Sequence, residues 1–265
     1  MSDSPKASPM AITVECDVPY GEGATGFGTD RPTTRPLCMD VYRPAGEAPP
    51  GGWPALVLSH GGAFHRGAKD HDEFEQGGSR NTPVHEYAER FAARGHVCFS
   101  VGYRLTPEQP APLPHPVKRI RHAIERERID YVRGLLGLPV ATTDELLRGA
   151  EAGFSDVAAA FAFIRTHAAR WAIDRDRMAI GGFSAGGFAS AYAVFALGQP
   201  AAALIGLSAA MDAADAEYYV HGARGLPPVL LFSGEHDLPS VPPRVAALAS
   251  CAARAGLGVR HYQVP

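Results

Sequence analysis

Short, near-continuous apolar runs alternate with helix-like segments along most of this chain, and that alternation narrows the folds open to it. Pro54 to Ser59 (PALVLS) reads as a strand buried on both faces, because a half-exposed strand would alternate apolar and polar residues. His96–Tyr103, Arg177–Gly182, Ala201–Leu207, Pro228–Ser233 and Val259–Val264 repeat the pattern. Helical segments are expected at Val84–Arg94, ended by Gly95, at Ala185–Leu197 and at Val241–Ala255. Strands separated by helices return to the same sheet edge by crossovers. The expected class is therefore α/β: a mostly parallel central sheet with helices on both faces. Ile12–Glu15 and Pro36–Tyr42, joined by the Gly-rich link Gly21–Gly28, read as an antiparallel edge.

One stretch departs from the alternation. Pro107 to Pro116 (PEQPAPLPHP) has too many prolines for regular structure. Val117–Leu136 then reads as a helix with Val117, Ile120, Ile124, Tyr131 and Leu135 near one face and mixed, solvated charges on the other. A short helix is expected at Thr142–Gly149 and a separate one from Ser155 to about Trp171. No linker divides the chain, so residues 1–265 are expected to form a single domain. The segment at about 107–152, too long for a loop, is expected to be a small cap-like helical insertion.

Composition excludes several partners. Lys and Arg number 25 against 28 Asp and Glu, a net charge of −3, which argues against a nucleic-acid surface. No apolar run approaches the roughly 20 residues that span a bilayer, and Met1–Met10 is too polar for a secretory signal. No membrane partner is expected. Cys16, Cys38, Cys98 and Cys251 form no C-x-x-C pair, so they read as reduced thiols of a cytoplasmic protein and not as a zinc or redox site. His71-Asp72-Glu73 with Glu75 matches no metal spacing and reads as a solvated acidic loop. Neither a metal nor an organic cofactor is expected.

The chemistry is concentrated at two glycine-bearing turns. Gly182-Phe183-Ser184-Ala185-Gly186 follows one strand and opens a helix of small residues, the setting in which G-x-S-x-G projects a serine nucleophile from a sharp turn. His60-Gly61-Gly62-Ala63-Phe64 follows PALVLS, and its paired glycines let backbone N–H groups approach a ligand. The backbone N–H groups of Gly62, Ala63 and Ala185 are candidates for an oxyanion hole, which stabilises the charge on a tetrahedral acyl intermediate. His60 reads as a loop-orienting residue, and Phe64 as a contact of an acyl pocket.

These motifs, with YRLTPE at 103–108 and Gly234-Glu235-His236-Asp237, resemble the α/β-hydrolase superfamily, in particular the hormone-sensitive-lipase and feruloyl-esterase-like carboxylesterases. The resemblance covers roughly residues 35–265. It implies an α/β-hydrolase fold, a serine esterase acting on small to medium carboxylic esters through an acyl-enzyme, Ser184 as nucleophile and Asp237 as the acid, with Asp212 the runner-up. It also implies a structural pair between Arg104 and Asp156, the latter expected to open a helix. The family's histidine lies on the loop after the last strand. Here that strand, Val259–Val264, is followed only by Pro265, so the histidine is expected beyond Pro265, with His261 the in-chain fallback and His221 and His236 weaker substitutes. Two other readings stay open: an aryl formamidase or amidase of the same fold, and a catalytically inactive ligand-binding relative of the kind the plant gibberellin receptors represent.

Overall fold

The run PALVLS forms β3 (Trp53–Ser59), and the sheet is built outward from it. The computed structural model describes residues 9–265 apart from 77–78, 118–124 and 222. β1 (Ile12–Thr25), β2 (Thr33–Pro44), β6 (Val97–Val101), β7 (Ile173–Phe183), β8 (Ala203–Leu207), β9 (Val229–Gly234) and β10 (Val259–Val264) join β3 in one eight-stranded sheet. Its order is β1-β2-β6-β3-β7-β8-β9-β10. β2 is antiparallel to both its neighbours, and every pairing from β6 to β10 is parallel. A short antiparallel pair, β4 (Glu75–Gln76) and β5 (Ser79–Arg80), stands apart.

The antiparallel edge differs from expectation in extent. β1 runs through Gly21 and Gly23 to Thr25, with register shifts between Glu15 and Val18 and between Pro19 and Gly21. Only β1 is an edge strand there, because β2 pairs on its other side with β6.

Helices cover both faces. α1 (Val84–Ala92) buries Val84, Ala88 and Ala92 on one face against Leu56, Leu58 and Cys98. The opposite face carries α3 (Thr143–Thr166), α4 (Ala185–Phe195) and α6 (Val241–Arg254), whose core includes Phe154, Phe161, Tyr192 and Leu248. α5 (Ala213–Val220), which the sequence pattern did not announce, packs beside α6.

α3 corrects a boundary. The helices expected at Thr142–Gly149 and from Ser155 are one continuous helix of 24 residues. Thr142 caps it, its side chain accepting from the Glu145 N–H at 3.2 Å while Glu145 accepts from the Thr142 N–H. Gly149 and Gly153 lie inside the helix. They are points of close approach: a Cβ at Gly149 would lie 2.0 Å from Thr106 Oγ1, and one at Gly153 2.9 Å from the Phe64 ring. Asp156 therefore sits mid-helix.

Of the helix expected at Val117–Leu136 only α2 (Arg126–Leu135) is helical among the described residues; Val117 is buried but not helical, and Ile120 and Ile124 lie outside the described residues. Its face is not the expected one. Tyr131 and Leu135 are 48% and 56% exposed, while Val132 and Arg133 are buried. Among the described residues no helix is long and apolar enough to cross a membrane.

A buried ion pair ties the two halves of the chain together. Arg104 donates from Nε and Nη2 to the two Asp156 oxygens at 2.9 and 2.7 Å, and from Nη1 to the Ala24 carbonyl at 3.1 Å. The Arg104 backbone N–H adds a fourth bond, to Asp156 Oδ2 at 2.9 Å. Such a pair gives little net stability against an apolar replacement, yet losing one partner costs about 3–5 kcal/mol because the other is left buried and charged.

Candidate active site

β7 ends at Phe183 and α4 begins at Ala185, leaving Ser184 alone at the bend with φ 49° and ψ −117°. A non-glycine residue in that region carries strain of about 1–3 kcal/mol. The surroundings hold it there. The Ser184 N–H donates to the Leu207 carbonyl at 2.9 Å, and its own carbonyl accepts from the Phe188 N–H at 2.9 Å. Glycine at 186 is a packing requirement, since a Cβ there would lie 2.1 Å from the Ser59 carbonyl oxygen and 2.4 Å from that of His60. The turn of α4 thus presses directly on the end of β3. Ser184 itself is half-buried and faces a cleft.

The loop after β3 supplies the facing wall. Gly62, Ala63 and Phe64 have positive φ of 115°, 55° and 59° in succession. The turn is closed by the His65 and Arg66 N–H groups donating to the Gly62 carbonyl at 2.9 and 3.2 Å. Phe64 anchors it from behind: its carbonyl accepts from the Thr106 N–H at 2.7 Å, and its ring packs against Tyr103, Phe154 and Phe188. His60 lies beneath, fully buried and stacked on Tyr103 with centroids 4.2 Å apart. The Tyr103 hydroxyl donates to the His60 carbonyl at 2.8 Å, and His60 Nδ1 lies 2.8 Å from the Gly61 carbonyl. Burial pushes the His60 pKa down to about 4, so the ring is neutral at pH 7.

Asp72 belongs to this support, which corrects the solvated-loop reading. Its neighbours His71 and Glu73 are exposed, but Asp72 is fully buried and accepts from the Val84 N–H at the start of α1 at 3.0 Å. Burial raises its carboxyl pKa, against the opposing pull of the Val84 and Gly61 backbone amides. Asn81 braces the same loop, donating to the Asp72 carbonyl and accepting from the Phe74 N–H. A lone buried carboxylate inside an acidic run leaves no periodic trace in the sequence.

Asp237 follows β9 and lines the same cleft as Ser184. Its carboxylate accepts from the Gly234 and Leu238 N–H groups, each at 3.0 Å. Asp212 instead caps α5, accepting from the Ala214 N–H at 2.9 Å. The three in-chain histidine substitutes separate clearly. His261 keeps its strand position, with Nε2 2.8 Å from Ser233 Oγ, and lines neither limb of the cleft. His221 sits exposed at the end of α5, 3.5 Å from Glu217. His236 lines the cleft beside Asp237, as does Pro265.

The cleft has two limbs meeting at Ser184, Ala63, Ser208 and Leu238. A narrow one of about 100 Å³ is walled by Phe64, Ile129, Phe188, Ala209 and Val241, with Ala185 at its base. A wider one of about 540 Å³ is lined by Gly62, Arg66, Phe74, Arg80 and Asp237.

A strand–serine–helix bend beside a glycine loop, with an acid two strands further along a mostly parallel eight-stranded sheet, is a known arrangement. The fold is that of the α/β-hydrolases. The BD-FAE family model matches residues 148–201, from within α3 through α4. Esterase 2 of Thermogutta terrifontis, in a structure phosphoramylated by tabun, superposes with a TM-score of 0.61 at 18% identity, over 94% of this chain and 82% of that one. Other structures of that esterase were phosphorylated by paraoxon or held propionate or butyrate. An α/β-hydrolase enzyme from a Medee basin deep-sea metagenome library gives 0.58 at 14% identity, covering 96% of this chain and 82% of the other. An inhibited esterase B from Lactobacillus rhamnosis also gives 0.58, at 13% identity, over 98% and 78%. No curated protein matches the sequence.

Proposed function

We propose that this α/β-hydrolase is a serine esterase cleaving small to medium carboxylic esters through an acyl-enzyme. The observation that carries the reading is Ser184, strained at the strand-to-helix bend, sharing one cleft with Gly62, Ala63 and Ala185. In this scheme Ser184 Oγ attacks the ester carbonyl. The N–H groups of Gly62, Ala63 and Ala185 hold the oxyanion, assisted by the positive end of α4. An imidazole takes the serine proton and passes it to the departing alkoxide, and water then releases the acid. That imidazole enters between Ser184 and Asp237, in the part of the cleft that Pro265 lines, and Asp237 orients it. Among the described residues no histidine is hydrogen-bonded to the Asp237 carboxylate, which argues against His261, His221 and His236 in that role. The scheme requires no metal or organic cofactor.

Residues 1–265 act as one domain in this reading, with the segment at about 107–152 as a helical insertion that contributes Arg128 and Ile129 of α2 to the cleft. The narrow limb suits short acyl groups, and the one neighbouring esterase solved with propionate and with butyrate supports that preference. Four free thiols fit a reducing, cytoplasmic setting.

The test is turnover of 4-nitrophenyl acetate. Ser184→Ala is expected to remove the turnover that the protein adds over buffer, and paraoxon is expected to leave a diethyl phosphate on Ser184 detectable by peptide mass spectrometry. Unchanged turnover in Ser184→Ala would overturn the assignment. Added imidazole is expected to raise the turnover of the 265-residue chain by supplying the proton acceptor between Ser184 and Asp237. Indifference to imidazole, together with a collapse of activity in His236→Ala, would instead make His236 the base.

A further inference from the structure

The chain carries a net charge of −3, yet the wide limb beside Ser184 is cationic. Arg66, Arg80 and Arg128 line it against the single carboxylate of Asp237. These groups differ in what they already hold. Arg80 is paired with Glu73, and Asp237 is bound by two backbone N–H groups. Arg66 is different: among the described residues its guanidinium has no carboxylate partner, and its Nε is buried with no hydrogen-bond acceptor.

Arg66 is also built into the loop that faces the serine. Its backbone N–H closes the turn on the Gly62 carbonyl, and its side-chain stem runs along Gly62. Its guanidinium lies over the Phe74 ring, 4.2 Å from the centroid, which fixes the plane of the fork. Burial first, and the nearby charge of Arg128 second, hold its pKa below the usual guanidinium value. A guanidinium desolvated this way and facing a like charge is a site of unmet anion affinity, and its planar fork matches a carboxylate.

Building on the esterase reading of Ser184, we propose that the enzyme prefers esters carrying a free carboxylate, which seats against Arg66 in the wide limb while the uncharged half of the ester occupies the narrow limb, where Glu125 and Arg244 are paired with each other and Arg128 is shared with the wide limb. The shared chemistry is a carboxylate a few bonds from the scissile carbonyl, in the acid half or the alcohol half of the ester.

Two matched pairs separate those sources. For the alcohol half, 4-acetoxybenzoate is compared with its methyl ester. For the acid half, 4-nitrophenyl hydrogen glutarate is compared with 4-nitrophenyl pentanoate, each rate divided by its buffer-catalysed rate. One pair is expected to favour the anion by about tenfold in kcat/KM at low salt, the scale of one hydrogen bond to a charged group, with the gain in KM and shrinking as salt is added. Arg66→Gln is expected to erase that ratio, and Arg66→Lys to keep part of it. The pair that responds locates the carboxylate. Ratios at or below one in both pairs, or the same ratio in Arg66→Gln, would overturn the proposal. Should no ester turn over even with imidazole added, the esterase reading falls and the anion site is decided separately, by calorimetric titration of the chain with glutarate. Binding lost in Arg66→Gln sustains the site, and absence of binding removes it.

Discussion

The two walls of the cleft hold their groups in different ways. On the sheet side, Ser184 and the Gly62–Phe64 turn are set by backbone: strained dihedrals, main-chain hydrogen bonds, and a contact so close that Gly186 has no room for a Cβ. On the other side, α2 presents Arg128 and Ile129 from a helix whose Tyr131 and Leu135 face solvent, braced by a surface ion pair between Arg126 and Asp130 at 3.4 Å. The first wall leaves no room for added atoms at Gly186, and the second is only partly packed against the core. In the proposed scheme the groups that meet the reacting carbonyl sit on the first wall, and the groups that choose among substrates are shared between them, Arg66 on the Gly62 loop and Ile129 on α2.

Three measurements would break or sharpen that contrast. Gly186→Ala is expected to cost about 4 kcal/mol or more of stability, read from the urea midpoint, because the Ser59 and His60 carbonyls cannot both retreat. A cost under about 1 kcal/mol would show that the sheet-side wall is not rigid. Next in size is a pH effect. His60 titrates at about 4 in the folded protein, against about 6.5 when unfolded, so between these values the unfolded chain binds the extra proton. Stability is therefore full above about pH 6.5 and falls as pH drops toward 4, by roughly 3 kcal/mol in all. His60→Phe is expected to flatten that part of the profile, and an unchanged slope would place the titration elsewhere. Smallest is Ile129→Ala on α2. It is expected to leave stability within about 1 kcal/mol, yet to shift acyl-length preference several-fold toward one more methylene, as the narrow limb lengthens. A large loss of stability there would make α2 part of the core.

What the sequence disclosed follows the same division. The buried strands and the serine bend were legible because each depends on a local pattern: apolar runs such as PALVLS, and glycines flanking Ser184. Misreadings arose where a distant contact decides. α3 reads as two helices from sequence alone, and the close approach of Thr106 and Phe64 to Gly149 and Gly153 appears only in the fold. Asp72 looks solvated among acidic neighbours until α1 delivers the Val84 N–H to it. α5 carries too few periodic apolar residues to announce itself, and it uses Asp212 as its N-cap. Arg66 gave no signal either, since an arginine's want of a partner appears only in three dimensions.

The Arg104–Asp156 clamp bears on how the chain is made. Its cation comes from the loop after β6, its carboxylate from the middle of α3, and a carbonyl from β1 completes it, so it joins residues 24, 104 and 156. A nascent chain that has emerged only as far as β6 holds an arginine with nothing to neutralise it. The first four strands of the main sheet, β1, β2, β3 and β6, therefore gain no settled docking until α3 leaves the ribosome. Fragments cut between Arg104 and Asp156 should recombine only as a pair, never fold singly.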